Sequence, residues 1–326
     1  MHPVAQVVQE RRSTRSRPGA RHDGHRVGLA VEGGGVRGVV SAGMLVALEE
    51  LGYRDVFDVI YGSSAGSFNA TYFLAGQAWQ ALPLYLDQVA DGHVIRLRRA
   101  LRGASVLCLD RVLDVLMARR VPLDWDAVLA SPIELRVIAS SVGELRPVVL
   151  THFDGRAELR QALRAGATIP FVAGLPVEFR GQRLLDAAVI QAHPYESAVA
   201  EGCTHVLSLS TRPRGRIRRT PSLLGRLLAW RLDRLQRGLG RANLQRLASY
   251  GQAQLRLADL TERPCDPPHV LDVAPEPGSH EVARLTRDLG RILEGARLGY
   301  EAAVLSVEGR SVHAVLRLTA VAAGSP

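Results

Sequence analysis

The chain has 326 residues, of which 47% are apolar and 22% charged, and all 41 of its basic residues are arginines. Its three widely spaced cysteines argue against a disulfide framework or a zinc site and fit a reducing, cytoplasmic compartment. The absence of an apolar run of about 20 residues argues against a membrane span, and the net charge of +9 favours anionic partners.

Predicted elements begin after a basic N-terminal segment. Residues 1–26 are rich in arginine and are predicted to form a disordered tail that contributes nothing to the fold. Strands are then predicted at Val27–Val31 and Val56–Tyr61, followed by helices at Val39–Leu51 and at about Gly66–Ala75. This alternation predicts an α/β protein with a mostly parallel sheet and helices packed on its faces.

Further strands and helices are predicted along the middle of the chain. Residues 77–130 are mainly helical and form a candidate lid. The predicted strands that follow are Ile133–Ser140, Pro147–His152, Pro176–Phe179, Arg183–Leu185 and His205–Ser210. A short helix is predicted at Glu158–Ala165, between the second and third of these strands.

The C-terminal third is predicted to pack on the same domain. Residues 211–310 are expected to be largely helical, with a last strand at Val270–Val273 and a helix at Glu281–Leu298, and residues 311–326 to form a tail. Within this part, residues 212–246 hold eleven arginines against one acid, with leucines and Trp230 at helical spacing. The segment is either a surface helix whose apolar stripe faces the core or a helix that contacts anionic lipid.

Two glycine-framed turns follow the first two strands. The first is the loop Gly33–Gly38, and the second runs from Gly62 to Gly66 with Ser64 at the centre of a G-x-S-x-G motif. Carboxyl ends of neighbouring parallel strands meet at one edge of a sheet, so both turns are expected to share a pocket. A serine between small residues in a strand–turn–helix setting is typical of a nucleophile elbow.

The glycine loop has two possible uses. Backbone N–H groups at Gly34 and Gly35, together with the helix start at Ala65, are candidate donors to an oxyanion beside the serine. The loop also fits the dinucleotide pattern G-x-G-x-x-G, but that use expects an acidic residue at the end of the second strand, where Gly62 to Ser64 stand. Acyl transfer is therefore favoured over nucleotide binding.

The base that would activate the serine is less evident. An α/β-hydrolase places an acid and then a histidine after the nucleophile, but the candidate histidines stand in no distinctive setting: His193, His205, His269, His280 and His313. Asp186 ends a predicted strand and precedes the small residues Ala187 and Ala188, so its carboxylate is a candidate base. Many aspartates in that position only cap a turn.

These three motifs, in this order, resemble the patatin-like phospholipase family. The resemblance implies a three-layer α/β/α fold with residues 27–210 as the catalytic core. It implies Ser64 as nucleophile and Asp186 as general base, without histidine, metal or organic cofactor. Gly34, Gly35 and Arg37 would belong to the oxyanion loop.

The implied reaction is hydrolysis of a lipid carboxylic ester through an acyl-enzyme. It would take place at a membrane surface, with the protein cytoplasmic or peripheral at the inner face. Nucleic acid is a weaker candidate partner because few stacking aromatics accompany the arginines.

The third motif departs from the usual family pattern, which has glycine directly after the aspartate. If residue 187 needed a positive φ, the alanine found there would cost about 1 kcal/mol or more. The sequence therefore leaves an alternative open, a catalytically weak or silent patatin-fold protein that binds lipid or a partner.

Overall fold

A computed structural model of the protein describes residues 1–90, 94, 105–215, 223–264 and 266–314. Its strands are β1 Val27–Val31, β2 Val59–Ser63, β3 Glu134–Ser141, β4 Pro147–Leu150, β5 Val177–Phe179, β6 Gln182–Asp186, β7 His205–Leu209 and β8 His269–Val273. Within these ranges the eight strands form one sheet in the order β5-β6-β3-β2-β1-β7-β8, with β4 also paired to β3. The pairs β3–β2, β2–β1, β1–β7 and β7–β8 are parallel. The pairs β3–β4, β3–β6 and β5–β6 are antiparallel.

Helices cover both faces of this sheet. They are α1 Pro3–Ser13, α2 Val39–Glu50, α3 Ala65–Leu74, α4 Ala78–Ala90, α5 Leu109–Arg111, α6 Trp125–Leu129, α7 Arg156–Ala167, α8 Tyr195–Ala200, α9 Leu223–Leu235, α10 Leu239–Glu262 and α11 Leu289–Glu308. A π-helix at Val112–Arg120 continues α5. In the part of the chain described, none of the helices has the length and apolar character needed to cross a membrane.

Alternate residues of β1 enter two separate apolar clusters. Leu29 and Val31 pack with α2 and α3 on one face, whereas Ala30 packs with Tyr195 of α8 and Leu257 of α10 on the other. Side chains of a strand alternate between faces, so both faces of the sheet are buried. The predicted three-layer α/β/α fold is confirmed.

The predicted strands are all present, with ends shifted by at most three residues. The largest shift is at β2, because Arg54–Val56 forms a 3₁₀ turn before the strand begins. The prediction of a helix from Glu281 is wrong at its start. Helix α11 begins at Leu289, where Asp288 caps it by accepting a hydrogen bond from the Arg291 N–H at 3.2 Å.

The predicted disordered tail over residues 1–26 is wrong. Helix α1 occupies residues 3–13, and Val4 and Val8 on it are fully buried against the core. Val4, Val7, Val8 and Arg11 recur at helical spacing, which is the stripe that buries α1. The high arginine content of the segment hid this short stripe in the sequence.

Arg11 fastens this segment to the sheet. Its guanidinium bonds both carboxylate oxygens of Asp23 at 2.6 and 2.9 Å, Oδ2 of Asp58 at 2.9 Å, and the carbonyls of Val56 and His25. All five donors are used, so the charge is buried with full compensation.

Other predictions fall partly outside the described residues. Residues 91–93 and 95–104 of the candidate lid, Cys265, and residues 315–326 of the predicted tail lie there. Cys108 and Cys203 are free thiols.

Candidate active site

Ser64 stands on a sharp turn between β2 and α3. Its backbone has φ 53° and ψ −130°, while Ala65 opens the helix. A positive φ is unfavourable for a residue with a Cβ, and such strain concentrates where a side chain must be presented to a site. This is the predicted elbow geometry.

The two glycine turns pack backbone to backbone. A Cβ on Gly33 would lie 2.6 Å from the Ala65 nitrogen, and one on Gly66 would lie 2.9 Å from the Glu32 carbonyl carbon. The strand ends are level, since Val31 of β1 pairs with Gly62 of β2. Because no side chain separates the turns, the glycine loop lies directly against the elbow, as the sequence predicted.

The loop presents free backbone donors beside the serine. Gly34 has φ 145°, a conformation that only glycine adopts readily. In the described residues no acceptor meets the N–H groups of Gly34 or Gly35. Arg37 lies inside the 3₁₀ turn Gly35–Gly38, where the Val36 N–H donates to the Arg284 carbonyl at 3.0 Å.

The Arg37 side chain is part of a buried support beneath the loop. Its Nε donates to Thr211 Oγ1 at 2.9 Å, and the Thr211 N–H and hydroxyl donate to Glu32 Oε2 at 2.6 and 2.8 Å. Burial opposes ionisation of Glu32, but Arg37 and other cations outweigh it and lower the pKa of that carboxyl to about 2. Burial lowers the pKa of Arg37 to about 10. Both groups are therefore charged at neutral pH.

Asp186 ends β6 and is almost completely buried, with 1% of its surface exposed. Its Oδ1 accepts a hydrogen bond from the Ala188 N–H at 2.8 Å, whereas Oδ2 is buried and has no partner of ordinary hydrogen-bond geometry among the described residues. Burial raises the pKa of the Asp186 carboxyl, opposed by the neighbouring Ser64 hydroxyl and the Ala188 N–H. Asp186 is thus a desolvated carboxylate beside the elbow serine.

Residue 187 does not need the backbone of a glycine. Ala187–Val189 forms a 3₁₀ turn with negative φ, and the side chain of Ala187 packs among Ala30 and Tyr195. Ala187 therefore carries no cost in backbone conformational energy. That cost was the reason for considering a catalytically weak or silent protein.

One cavity of about 480 Å³ gathers the predicted residues. Ser64, Asp186, Gly33, Gly34, Arg37, Ala187 and Ala188 line it. The wall also includes Glu32 and, from later in the chain, His193, Arg246 and Arg284. The cavity therefore combines the elbow, the aspartate and a cationic wall.

His193 is the one histidine among the described residues that lines this cavity. Its ring stacks on Tyr250 with centroids 4.9 Å apart, and neither ring nitrogen meets a hydrogen-bond partner in that part of the chain. Burial lowers the pKa of His193 to about 4. His205 and His269 lie at the beginnings of β7 and β8, at the opposite edge of the sheet.

A second pocket of about 480 Å³ also reaches Ser64. Apart from the serine, its wall is apolar except for one tyrosine hydroxyl: Gly35, Ala65, Phe68, Leu84, Tyr85, Leu107, Leu109, Val112, Ala167 and Ile169. Ser64 and Ile169 line both pockets, so the serine stands where a polar chamber meets an apolar one.

Several site residues were missed from sequence. Arg246 lies on α10 and Arg284 in the segment before α11, far from every motif. Neither stands in a recognisable pattern, because 41 arginines make any one of them inconspicuous. Thr211 follows β7, and its position at the carboxyl end of a strand next to β1 was the available signal.

The fold and the site define an α/β protein with a strand–turn–helix serine turn at the carboxyl edge of its sheet. The chain belongs to the patatin-like phospholipase family, whose sequence model matches residues 29–199. The resemblance seen in the motifs is thereby confirmed, and membership supports lipid hydrolysis as the activity at the level of the family.

Similar sequences include proteins that are themselves uncharacterised. The chain is 24% identical to the uncharacterised protein YjjU of Escherichia coli K12, over 84% of this chain and 75% of that one. It is 26% identical to uncharacterised NTE family proteins of Mycobacterium bovis and Mycobacterium tuberculosis, over 88% of this chain and 84% of theirs. Among solved structures, VipD from Legionella pneumophila aligns with a TM-score of 0.44 and 12% identity, over 87% of this chain and 67% of that one.

Proposed function

We propose that the protein is a serine lipid acyl hydrolase that cleaves carboxylic esters through a Ser64–Asp186 dyad. The observation that carries this proposal is the position of Ser64, which lies beside a desolvated aspartate at the junction of a polar and an apolar chamber. The apolar pocket suits the acyl chain and the polar chamber suits the alcohol part of a lipid ester.

In the proposed reaction, Asp186 accepts the Ser64 proton as Oγ attacks the ester carbonyl. Negative charge then develops on the carbonyl oxygen, and the N–H groups of Gly34, Gly35 and Ala65 are the donors in place to stabilise it. Asp186 returns the proton to the departing alcohol, leaving the acyl group on Ser64. Water repeats the sequence, with Asp186 as base, and releases the carboxylic acid.

An aspartate serves as base here because its surroundings make it a stronger one. Desolvation raises the Asp186 pKa above the value of a free side chain, which increases its affinity for the serine proton. The nearby cations Arg284 and Arg246 oppose this shift and favour the ionised form at neutral pH. In this proposal Arg37 supports the loop through Thr211 and does not touch substrate.

Substitution of the dyad tests the proposal. Ser64→Ala and Asp186→Asn should each abolish release of acid from a short-chain p-nitrophenyl ester, a loss of about a thousandfold or more. Ser64→Ala should also abolish labelling by a fluorophosphonate probe, which reacts only with an activated serine. Ser67→Ala is the matched control, because this buried hydroxyl lies on α3 and has no hydrogen-bond partner among the described residues.

A folded wild-type protein that neither hydrolyses esters nor takes the label would contradict the proposal and support a lipid-binding protein instead. His193→Gln separates the dyad from a histidine base. The dyad predicts that the His193→Gln variant still takes the label, whereas a serine–histidine pair predicts that labelling disappears with the ring.

The proposal includes work at a membrane surface, since lipid esters reside there. Helix α9 carries an exposed face with Leu227 and Trp230 at 51% and 52% exposure, surrounded by arginines. A basic face with an exposed aromatic is suited to an anionic lipid surface.

A further inference from the structure

The polar chamber contains two guanidinium groups with no carboxylate partner. Arg37 and Arg212 both pair with Glu281, at 3.4 and 3.2 Å. Arg246 and Arg284, by contrast, form no ion pair within the described residues. Asp186 and Glu32, which also line the chamber, attract Arg284 without forming an ion pair with it in that part of the chain.

Neutral contacts hold the backbone of Arg284 and the side chain of Arg246. The Arg284 carbonyl accepts a hydrogen bond from the Val36 N–H at 3.0 Å, which ties its backbone to the oxyanion loop. Arg246 Nε donates to the Gln191 carbonyl at 3.3 Å, and its guanidinium lies 5.4 Å from the Tyr250 ring centre. These contacts leave most of the ten guanidinium donors free for a ligand.

Keeping the two groups together is unfavourable without an anion. Burial lowers the pKa of Arg246, and the charge of Arg284 lowers it further. Asp186 offsets part of this repulsion, but that carboxylate is needed as the base. An anion entering the chamber would relieve the repulsion and replace lost hydration.

The two pockets also fix the direction in which an ester would lie at Ser64. An ester bound at Ser64 with its acyl chain in the apolar pocket directs its alcohol part towards Arg246 and Arg284. In a glycerophospholipid the phosphate follows the scissile ester after a few bonds. Phosphate oxygens match the planar donor fork of arginine, and Arg284 is exposed enough for such a group to reach it.

We infer that Arg246 and Arg284 form a phosphate subsite that selects esters carrying a phosphate on the departing alcohol. The inference rests on the proposed function, which gives the reaction as ester hydrolysis. It adds that the phosphate on the departing alcohol is the group that the protein recognises. Both arginines lie beyond residues 29–199, the span that matches the family. The C-terminal part of the chain thus supplies the selectivity.

The test compares two substrates with the same short acyl chain, a monoacylglycerol phosphate and the corresponding monoacylglycerol, each below its micelle concentration. At mildly alkaline pH the wild type should favour the phosphate substrate in kcat/KM. Arg246→Ala and Arg284→Ala should each reduce this preference about tenfold or more, the usual effect of losing hydrogen bonds to a charged group. Arg241→Ala is the matched control, an exposed arginine of the same helix α10.

A second arm uses binding alone. Glycerol 3-phosphate should inhibit hydrolysis of a neutral p-nitrophenyl ester, and both variants should weaken that inhibition. Equal losses on the charged and neutral substrates would overturn the inference, because they would show that the arginines act only through Asp186. Inorganic phosphate that inhibits as well as glycerol 3-phosphate, without a preference for the phosphate substrate, would also overturn it in favour of a free-anion site.

The failures of the two proposals differ. If the wild type hydrolyses neither substrate, the proposed function fails. Glycerol 3-phosphate should then still raise the melting temperature of the wild type and not that of the Arg246→Ala variant. Absence of that shift would overturn the subsite independently of catalysis.

Discussion

At Asp186, burial and neighbouring charge act in opposite directions on one carboxyl group. Burial raises its pKa, and the charges of Arg284 and Arg246 oppose that rise. In the proposed reaction this balance decides at which pH Asp186 can act as the base, because only the ionised carboxylate can accept the serine proton.

We expect hydrolysis to decline as the pH falls through this raised pKa, above the range of an ordinary aspartate. Arg284→Gln removes a favourable charge, raises the Asp186 pKa further and should move the acid limb of the kcat profile to higher pH. The profile is measured with a neutral p-nitrophenyl ester, and Arg241→Gln should leave it in place. An acid limb unmoved in Arg284→Gln would show that this arginine does not act on the base.

Single residues were predictable from sequence where their own motif sets their position. Ser64 stands at the centre of an elbow between two glycines, and those neighbours are local in the chain. Asp186 was one strand-end aspartate among others, and family resemblance singled it out. Arg246 and Arg284 meet the site only through tertiary packing, which no local pattern encodes.

At the scale of elements, the contact between the two glycine turns requires that residue 33 has no side chain, which substitution can test. Gly33→Ala would place a methyl group within 3 Å of Ala65 N and Gly66 N, so the glycine loop and the elbow must separate. We expect a loss of about 1–3 kcal/mol in the free energy of unfolding and a large loss of fluorophosphonate labelling. Gly143→Ala is the control, since a Cβ there meets nothing within 4 Å.

Denaturant unfolding and labelling of the same samples separate stability from site geometry. A Gly33→Ala variant with the unfolding free energy and the labelling of the wild type would contradict this prediction. It would show that the two turns can separate without loss of stability or site geometry.

Helix α9 allows both of the interpretations that its sequence left open. Ala229 and Leu232 are buried and face the core, whereas Leu227 and Trp230 face solvent. The arginine-rich pattern was sufficient to predict an amphipathic helix. It was insufficient to show that the helix has a second, exposed apolar strip.

Vesicle sedimentation tests whether this strip contacts lipid. The wild type should bind vesicles containing phosphatidylserine more tightly than neutral ones, with a blue shift of tryptophan fluorescence. Replacing Leu227 and Trp230 with serine should weaken binding about tenfold or more. Leu289→Ser at the start of α11 is a control of similar exposure, and equal losses in both variants would argue against a specific role for α9.

For the whole molecule, the alternation of strands and helices was sufficient to predict the sheet and its layers. Periodicity reports which faces are buried, so a mostly parallel sheet with helices on its faces could be predicted before the structure, and the family resemblance implied the three-layer fold. The N-terminal helix was not predicted because its buried stripe spans fewer than three turns and ends in a charged residue. An arginine as fully buried as Arg11 cannot be anticipated without the carboxylates that surround it.

Arg11 should therefore be important for the stability of the whole chain. Arg11→Met leaves Asp23 and Asp58 with fewer partners and should cost about 3–5 kcal/mol in the free energy of unfolding. Arg11→Lys should retain part of that stability, because an ammonium keeps the charge but not the five-donor fork. Thermal and denaturant unfolding measure both, with the exposed Arg17→Met as the unaffected control.

The backbone contact between the glycine loop and the elbow also bears on how such proteins diverge. The spacing between Ser64 and the proposed oxyanion donors is set by strand register and by the absence of side chains at Gly33 and Gly66. Neither depends on the identity of the residues that line the two chambers. Substitutions in the chambers can therefore change which lipid is accepted while Ser64 and the glycine loop keep their positions. Related proteins can differ in substrate and still share one reaction.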